Sequence, residues 1–149
     1  MTCVLVSACL LGTACRYDGK EKGNPQVRKL LEREDLVLIP VCPEQLGGLP
    51  TPRLPSERKE GWVENSQGTD VTAEYRRGAK EALKLARLYG CRLAVLKERS
   101  PSCGKGQIYD GTFSGRLTAG DGVTAELLEK EGIAVIGESE LEKLDRSIS

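Results

Sequence analysis

Four short apolar runs recur along the chain, at residues 4–6 (VLV), 36–40 (LVLIP), 93–96 (LAVL) and 133–136 (IAVI), each bounded by polar residues, glycine or proline. Runs of this length, rich in β-branched residues and lacking polar alternation, suit strands buried on both faces of a parallel sheet. Helical patterns fill the intervals. Pro25 is placed to open a helix reaching about residue 33. The stretch "GTDVTAEYRRGAKEALKLARLYG" carries Tyr75, Ala79, Ala82, Leu83 and Ala86 on one face, with Thr72 as the expected N-cap and Gly90 as the expected stop. Shorter helices are expected over about residues 122–130 and 139–145. Strand and helix alternating in this way imply right-handed βαβ crossovers and an α/β layered domain. With 149 residues, the chain 1–149 is read as one domain.

Against that skeleton the cysteines acquire positions. The chain has six cysteines and no histidine. Cys9 and Cys15 follow the first strand, Cys42 ends the second, and Cys103 lies in the connection after the third. These four therefore sit beyond the carboxyl ends of parallel strands, where open α/β sheets bind ligands. Adjacent strands lie ~4.8 Å apart, so three neighbouring strand ends can present thiolates around an object about 10 Å across. Cys3, inside the first strand, and Cys91, ahead of the third, are expected to be small buried hydrophobes.

The residues exclude several chemistries. Without CxxC, a zinc ribbon or thioredoxin motif is disfavoured. Without histidine, Cys–His nucleophilic catalysis and a His-containing zinc deaminase site are ruled out. No phosphate-binding GxxxxGK[ST] loop is present. Lys plus Arg (22) balance Asp plus Glu (22), so no global field draws the chain to DNA, and no apolar run approaches the roughly 20 residues of a membrane span. The N-terminal apolar run lacks a basic flank, which points to the cytoplasm, where thiols stay reduced. Thiolate ligation by dispersed cysteines fits an iron–sulfur cluster best. A structural zinc site on Cys9, Cys15, Cys42 and Cys103, or a non-catalytic redox sensor or sulfur carrier, remain alternatives. If only three cysteines bind a cubane, one iron stays open as a Lewis acid.

Longer blocks carry more specific information. "SACLLGTACRYDG", "PVCPEQLGGLPTPR", "KERSPSCG" and "YDGTFSG" followed by "GDGVTAELL" run in order over nearly the whole chain. They resemble the thiouracil desulfidase family (TudS). The resemblance implies a single Rossmann-like α/β domain, with a mainly parallel sheet of about four strands flanked by helices, holding an oxygen-sensitive 4Fe–4S cluster on three cysteines. It implies a non-redox reaction in which water replaces the sulfur of a thiopyrimidine, thiouracil or 4-thiouridine monophosphate, releasing hydrogen sulfide. Carried over residue by residue, the ligands are Cys9, Cys42 and Cys103, one from each of three strand ends, with Cys15 as a fourth candidate. Longer relatives carry an additional domain associated with RNA; none is seen here, and tRNA is disfavoured.

The resemblance also gives Glu44 and Ser100 catalytic roles. A carboxylate beside a polarised thiocarbonyl can take a proton from water and return one to the departing sulfur. Ser100 can orient water or substrate. Ser7, Ser102 and Arg53 are the expected substrate contacts, Arg53 because a guanidinium fork suits a phosphate. Lys97, Arg99, Lys105 and Arg16 are further cationic candidates. Amides of the helix beginning near Gly122 are a candidate anion cradle, and Asp18, Asp70 and Asp110 are expected to order loops.

Overall fold

The computed structural model describes residues 1–21 and 23–148. The chain runs β1 (Thr2–Ser7), α1 (Pro25–Lys29), β2 (Leu36–Val41), α2 (Pro43–Leu46), β3 (Ser56–Lys59), β4 (Trp62–Asn65), α3 (Thr72–Leu88), β5 (Leu93–Leu96), β6 (Gln107–Tyr109), β7 (Leu117–Ala119), α4 (Val123–Lys130), β8 (Ala134–Gly137) and α5 (Glu142–Ile148), with 3-10 turns at Ala8–Leu11, Leu30–Glu32 and Glu138–Glu140. The four apolar runs form one four-stranded sheet in the order β2-β1-β5-β8, every pair parallel.

Successive residues of β1 serve opposite faces of that sheet. Val4 and Val6 pack with Val27, Leu30 and Leu144 on the side covered by α1 and α5. Leu5 packs with Ala82, Ala86, Ala125 and Leu128 on the side covered by α3 and α4. All three β1 residues are fully buried, which is why the strand reads as an unbroken apolar run rather than an alternating one. The expected face of α3 is buried as well, with Gly78 added to it.

Helix ends differ in detail from expectation. Thr72 is the first residue of α3 rather than its cap; its hydroxyl accepts the Val63 N–H at 2.8 Å, while the Asp70 carboxylate accepts the Thr72 N–H at 2.9 Å. Asp70 therefore orders the turn that Thr72 was expected to close. Asp18 and Asp110 order their loops in the same way, accepting the N–H two residues on. Gly90 takes the left-handed φ of +67° expected of a helix stop.

The two long connections are not plain loops. Each folds into a two-stranded antiparallel ladder, β3 with β4 and β6 with β7. The first turns on Glu60-Gly61, with Lys59 opposite Trp62. Glu57 on β3 then accepts the N–H groups of Gly111 and Phe113 at 2.9 and 3.1 Å, fastening the β6–β7 loop beside the sheet's carboxyl edge. Among the described residues no helix is long and apolar enough to cross a membrane.

Candidate active site

The chain runs outward from β1 to β2 on one side and through β5 to β8 on the other. The switch in direction leaves a crevice at the carboxyl ends of β1 and β5, the place where ligands bind in open α/β sheets. A cavity of about 500 Å³ opens there, and Cys9, Cys15, Cys42, Cys103, Glu44 and Ser100 all line it. The four cysteines expected at this pole are thus brought together. Cys91 lies instead in the core, as expected, whereas Cys3 is only half-buried and packs against the same cluster.

Each cysteine is delivered by a short, tightly specified segment. Cys9 sits in the 3-10 turn after β1, which Gly12 ends at φ +104°. Cys42 precedes α2, with Pro43 supplying the first helical residue, and its thiol donates to the Cys15 carbonyl at 3.6 Å. Cys103 lies in a turn built on Ser100, whose oxygen accepts the N–H groups of both Ser102 and Cys103 at 3.0 Å. A Cβ at Gly122 would stand 2.4 Å from the Ser102 carbonyl carbon, so only glycine lets α4 dock on this turn.

That docking corrects one expectation. The first amides of α4 are not open to an anion: Val123 N–H donates to the Pro101 carbonyl at 2.9 Å and Thr124 N–H to that of Ser102 at 2.8 Å. Ser102 is also displaced from its expected role. The residue is 1% exposed and does not line the cavity, and its hydroxyl pairs with the Thr124 hydroxyl at 2.8 Å. It holds the Cys103 turn to α4. Ser7 does line the cavity, but its oxygen accepts the Lys97 N–H at 2.9 Å, and its hydroxyl hydrogen-bonds the Cys103 thiol.

Cys15, Cys42 and Cys103 are held in their protonated form. Burial pushes Cys103 up to about 12, opposed by the Ser7 hydroxyl. Cys15 rises to about 11: its hydrogen bond with Cys42 pulls it down, but pairing with Cys9 and burial outweigh that. Cys42 is raised further, first by its tie to Cys15 and then by burial. A buried thiol group of this kind becomes a set of thiolates only when positive charge enters among them. Among the described residues no group of three or more Cys, Asp or Glu side chains is drawn together closely enough to hold a single metal ion. Soft sulfur donors spread over three strand ends fit an iron–sulfur cluster.

Glu44 projects from α2, and α2 lies directly on α3. The approach requires two glycines: a Cβ at Gly78 would come within 1.9 Å of the Pro43 oxygen, and one at Gly47 within 1.9 Å of the Glu74 oxygen. The Glu44 Oε1 accepts a short hydrogen bond from the Tyr75 hydroxyl, and Oε2 pairs with Arg53 Nη2 at 3.3 Å. Arg53 also donates to the carbonyls of Pro50 and Cys15 and to the Thr51 hydroxyl. Its side chain is only 6% exposed, and it ties the Cys15 loop to the Glu44 carboxylate instead of standing free. Other cations are partnered too: Lys97 by Glu138, Arg16 by Asp18, Lys105 by Asp121 and Glu129. Arg99, exposed at the cavity lining with φ +68°, has no carboxylate within ion-pair distance among the described residues.

Sequence reasoning took Tyr75 as one more apolar position. The available signal was its size, since the rest of that buried face is glycine, alanine and one leucine.

Comparison with known proteins gives three matches. The family model described as 2-thiouracil desulfurase matches residues 4–140. An uncharacterized protein of Bacillus subtilis (strain 168), YbbK, is 44% identical over 148 residues, covering 93% of this chain and 97% of that protein. A solved structure of a [4Fe-4S]-dependent thiouracil desulfidase, TudS, is 46% identical with a TM-score of 0.91, covering 99% of this chain and 98% of the other.

Proposed function

This chain belongs to the 2-thiouracil desulfurase family, and from that premise we propose that it is a [4Fe-4S]-dependent desulfidase that exchanges the sulfur of a thiopyrimidine for oxygen from water. The observation that carries this reading is the gathering of cysteines from three strand ends into one cavity at the sheet's switch point. Cys9, Cys42 and Cys103 would hold the cluster. Bound on three thiolates, it supplies an iron with an open position, a Lewis acid toward a thiocarbonyl sulfur. Cys15 stays outside the ligand set as a thiol supporting Cys9 and Cys42.

The chain's own residues handle protons and orientation. Glu44 takes a proton from the attacking water at its carboxylate and returns one to the departing sulfur, so the exchange needs no electrons from outside. Ser100 already accepts two amide hydrogen bonds, which leaves its O–H as a donor toward the cavity contents. Ser7 holds the Cys103 sulfur, and Lys97 N–H holds Ser7. The cavity of about 500 Å³, which the cluster and the substrate would share, falls within the range of small-molecule sites. A nucleotide substrate would meet Arg99 as the unpaired cation, because both terminal nitrogens of Arg53 already have partners. Zero net charge favours a small molecule over DNA or tRNA, and thiols of this kind suit the cytoplasm. We read the whole chain as one desulfidase domain.

The test is an isotope experiment. The anaerobically reconstituted protein is given 2-thiouracil or 4-thiouridine monophosphate in ¹⁸O-labelled water. One labelled oxygen in the pyrimidine per sulfide released supports the reading. Bound sulfur without an oxo product would make the chain a carrier instead.

A further inference from the structure

We propose that Tyr75, acting with Arg53, is the positioning residue that fixes the Glu44 carboxylate toward the cysteine pole. The inference rests on the role given to Glu44 above. Tyr75 is 1% exposed and sits outside the main core, in a small cluster with Val63 and Val71. A phenol buried there must find a partner for its O–H, and that partner is Glu44 Oε1. Arg53 Nη2 takes the other oxygen. One donor on each oxygen fixes the plane of the carboxylate, whereas a single donor would let it swing about the bond to that donor.

The arrangement is not explained by stability. A buried ion pair contributes little net stabilisation once its desolvation is counted, and Glu44 is not sealed away: its side chain is 20% exposed and lines the cavity with Cys42 and Cys103. Tyr75, which does not line the cavity, holds one carboxylate oxygen from the buried side, and Arg53, itself part of the lining, holds the other. The backbone agrees, since Gly47 and Gly78 bring α2 close enough to α3 for the phenol to reach. Tyr75 touches neither substrate nor cluster in this account and works only through Glu44.

A double-mutant cycle between Tyr75→Phe and Glu44→Gln separates positioning from general support of the fold. A hydrogen bond to a charged group predicts that Tyr75→Phe lowers kcat by about tenfold to hundredfold, with KM changed by less than about twofold. Iron per chain and visible absorbance should match the wild type. In the Glu44→Gln background the same substitution should change kcat by less than about twofold, because the group it positions is already gone. An equal proportional loss in both backgrounds, or wild-type kcat in Tyr75→Phe alone, overturns the proposal. Glu44→Gln with full turnover would instead remove the carboxylate from the mechanism, and Tyr75 with it. A crystal structure of Tyr75→Phe gives a readout independent of turnover. The Glu44 carboxylate should leave its single orientation, and an unmoved carboxylate contradicts the inference.

Discussion

Replacing Gly78 by alanine adds one methyl group 1.9 Å from the Pro43 carbonyl oxygen. Ordinary contacts between such atoms are about 3.5 Å, so α2 must retreat from α3 by roughly 1 Å or more. The atoms it meets, on Pro43 and Gly47, are all backbone and none is the end of a flexible side chain. Overpacking of this kind costs about 1–3 kcal/mol, and alanine returns up to about 1 kcal/mol through helix propensity. The net destabilisation, roughly 0–3 kcal/mol, should lower Tm by no more than about 12 °C in a chain of this size. Function should suffer more. Glu44 is carried on α2 one residue from Pro43, and a shift near 1 Å breaks its two-point hold by Tyr75 and Arg53. Misplacement of that size costs about 10²-fold in rate. Thermal unfolding, iron content and sulfide release measured on one Gly78→Ala preparation check the argument. A variant that melts a few degrees low but releases sulfide at the wild-type rate would refute the link between this helix contact and the carboxylate.

Other expected outcomes follow from the same geometry. Cys9→Ser, Cys42→Ser and Cys103→Ser should each fail to retain iron after anaerobic reconstitution and desalting, while Cys15→Ser retains it; the assay is iron per chain. Arg99→Gln should raise KM for 4-thiouridine monophosphate about tenfold to hundredfold, the scale of a charged hydrogen bond, and leave KM for the free base unchanged. In the metal-free chain, Cys15 and Cys103 are raised to about 11 and about 12 from 9.0. A raised folded-state value means the folded chain holds protons that the unfolded chain has lost. Their contribution to stability is therefore complete below pH 9 and declines as pH rises towards 11–12, which urea titrations across that range would show.

The sheet was legible in the sequence because β1 and β5 are buried on both faces and the edge strands β2 and β8 are partly covered, which leaves all four as apolar runs. The cysteine pole was legible for a related reason: chain order alone puts residues after parallel strands at one edge. β3, β4, β6 and β7 were not, because strands of three or four residues such as "SERK" and "LTA" hold no period to read. The Glu60-Gly61 and Asp110-Gly111 steps were their local signals. Arg53 looked free because an arginine in a Pro-rich loop normally faces water, and only the fold shows it buried between Glu44 and the Cys15 carbonyl. Tyr75 looked apolar because periodicity reports burial and says nothing of where a hydroxyl points.

The central claim is that thiolates at this pole hold a cluster used for hydrolytic desulfuration. Iron, acid-labile sulfide and zinc counted per chain after anaerobic reconstitution, with sulfide release from thiouracil assayed on the same sample, tests it most directly. The account predicts about four irons and four sulfides per chain, with turnover that disappears on exposure to air. Zinc in place of iron, or full turnover by iron-free protein, would contradict it.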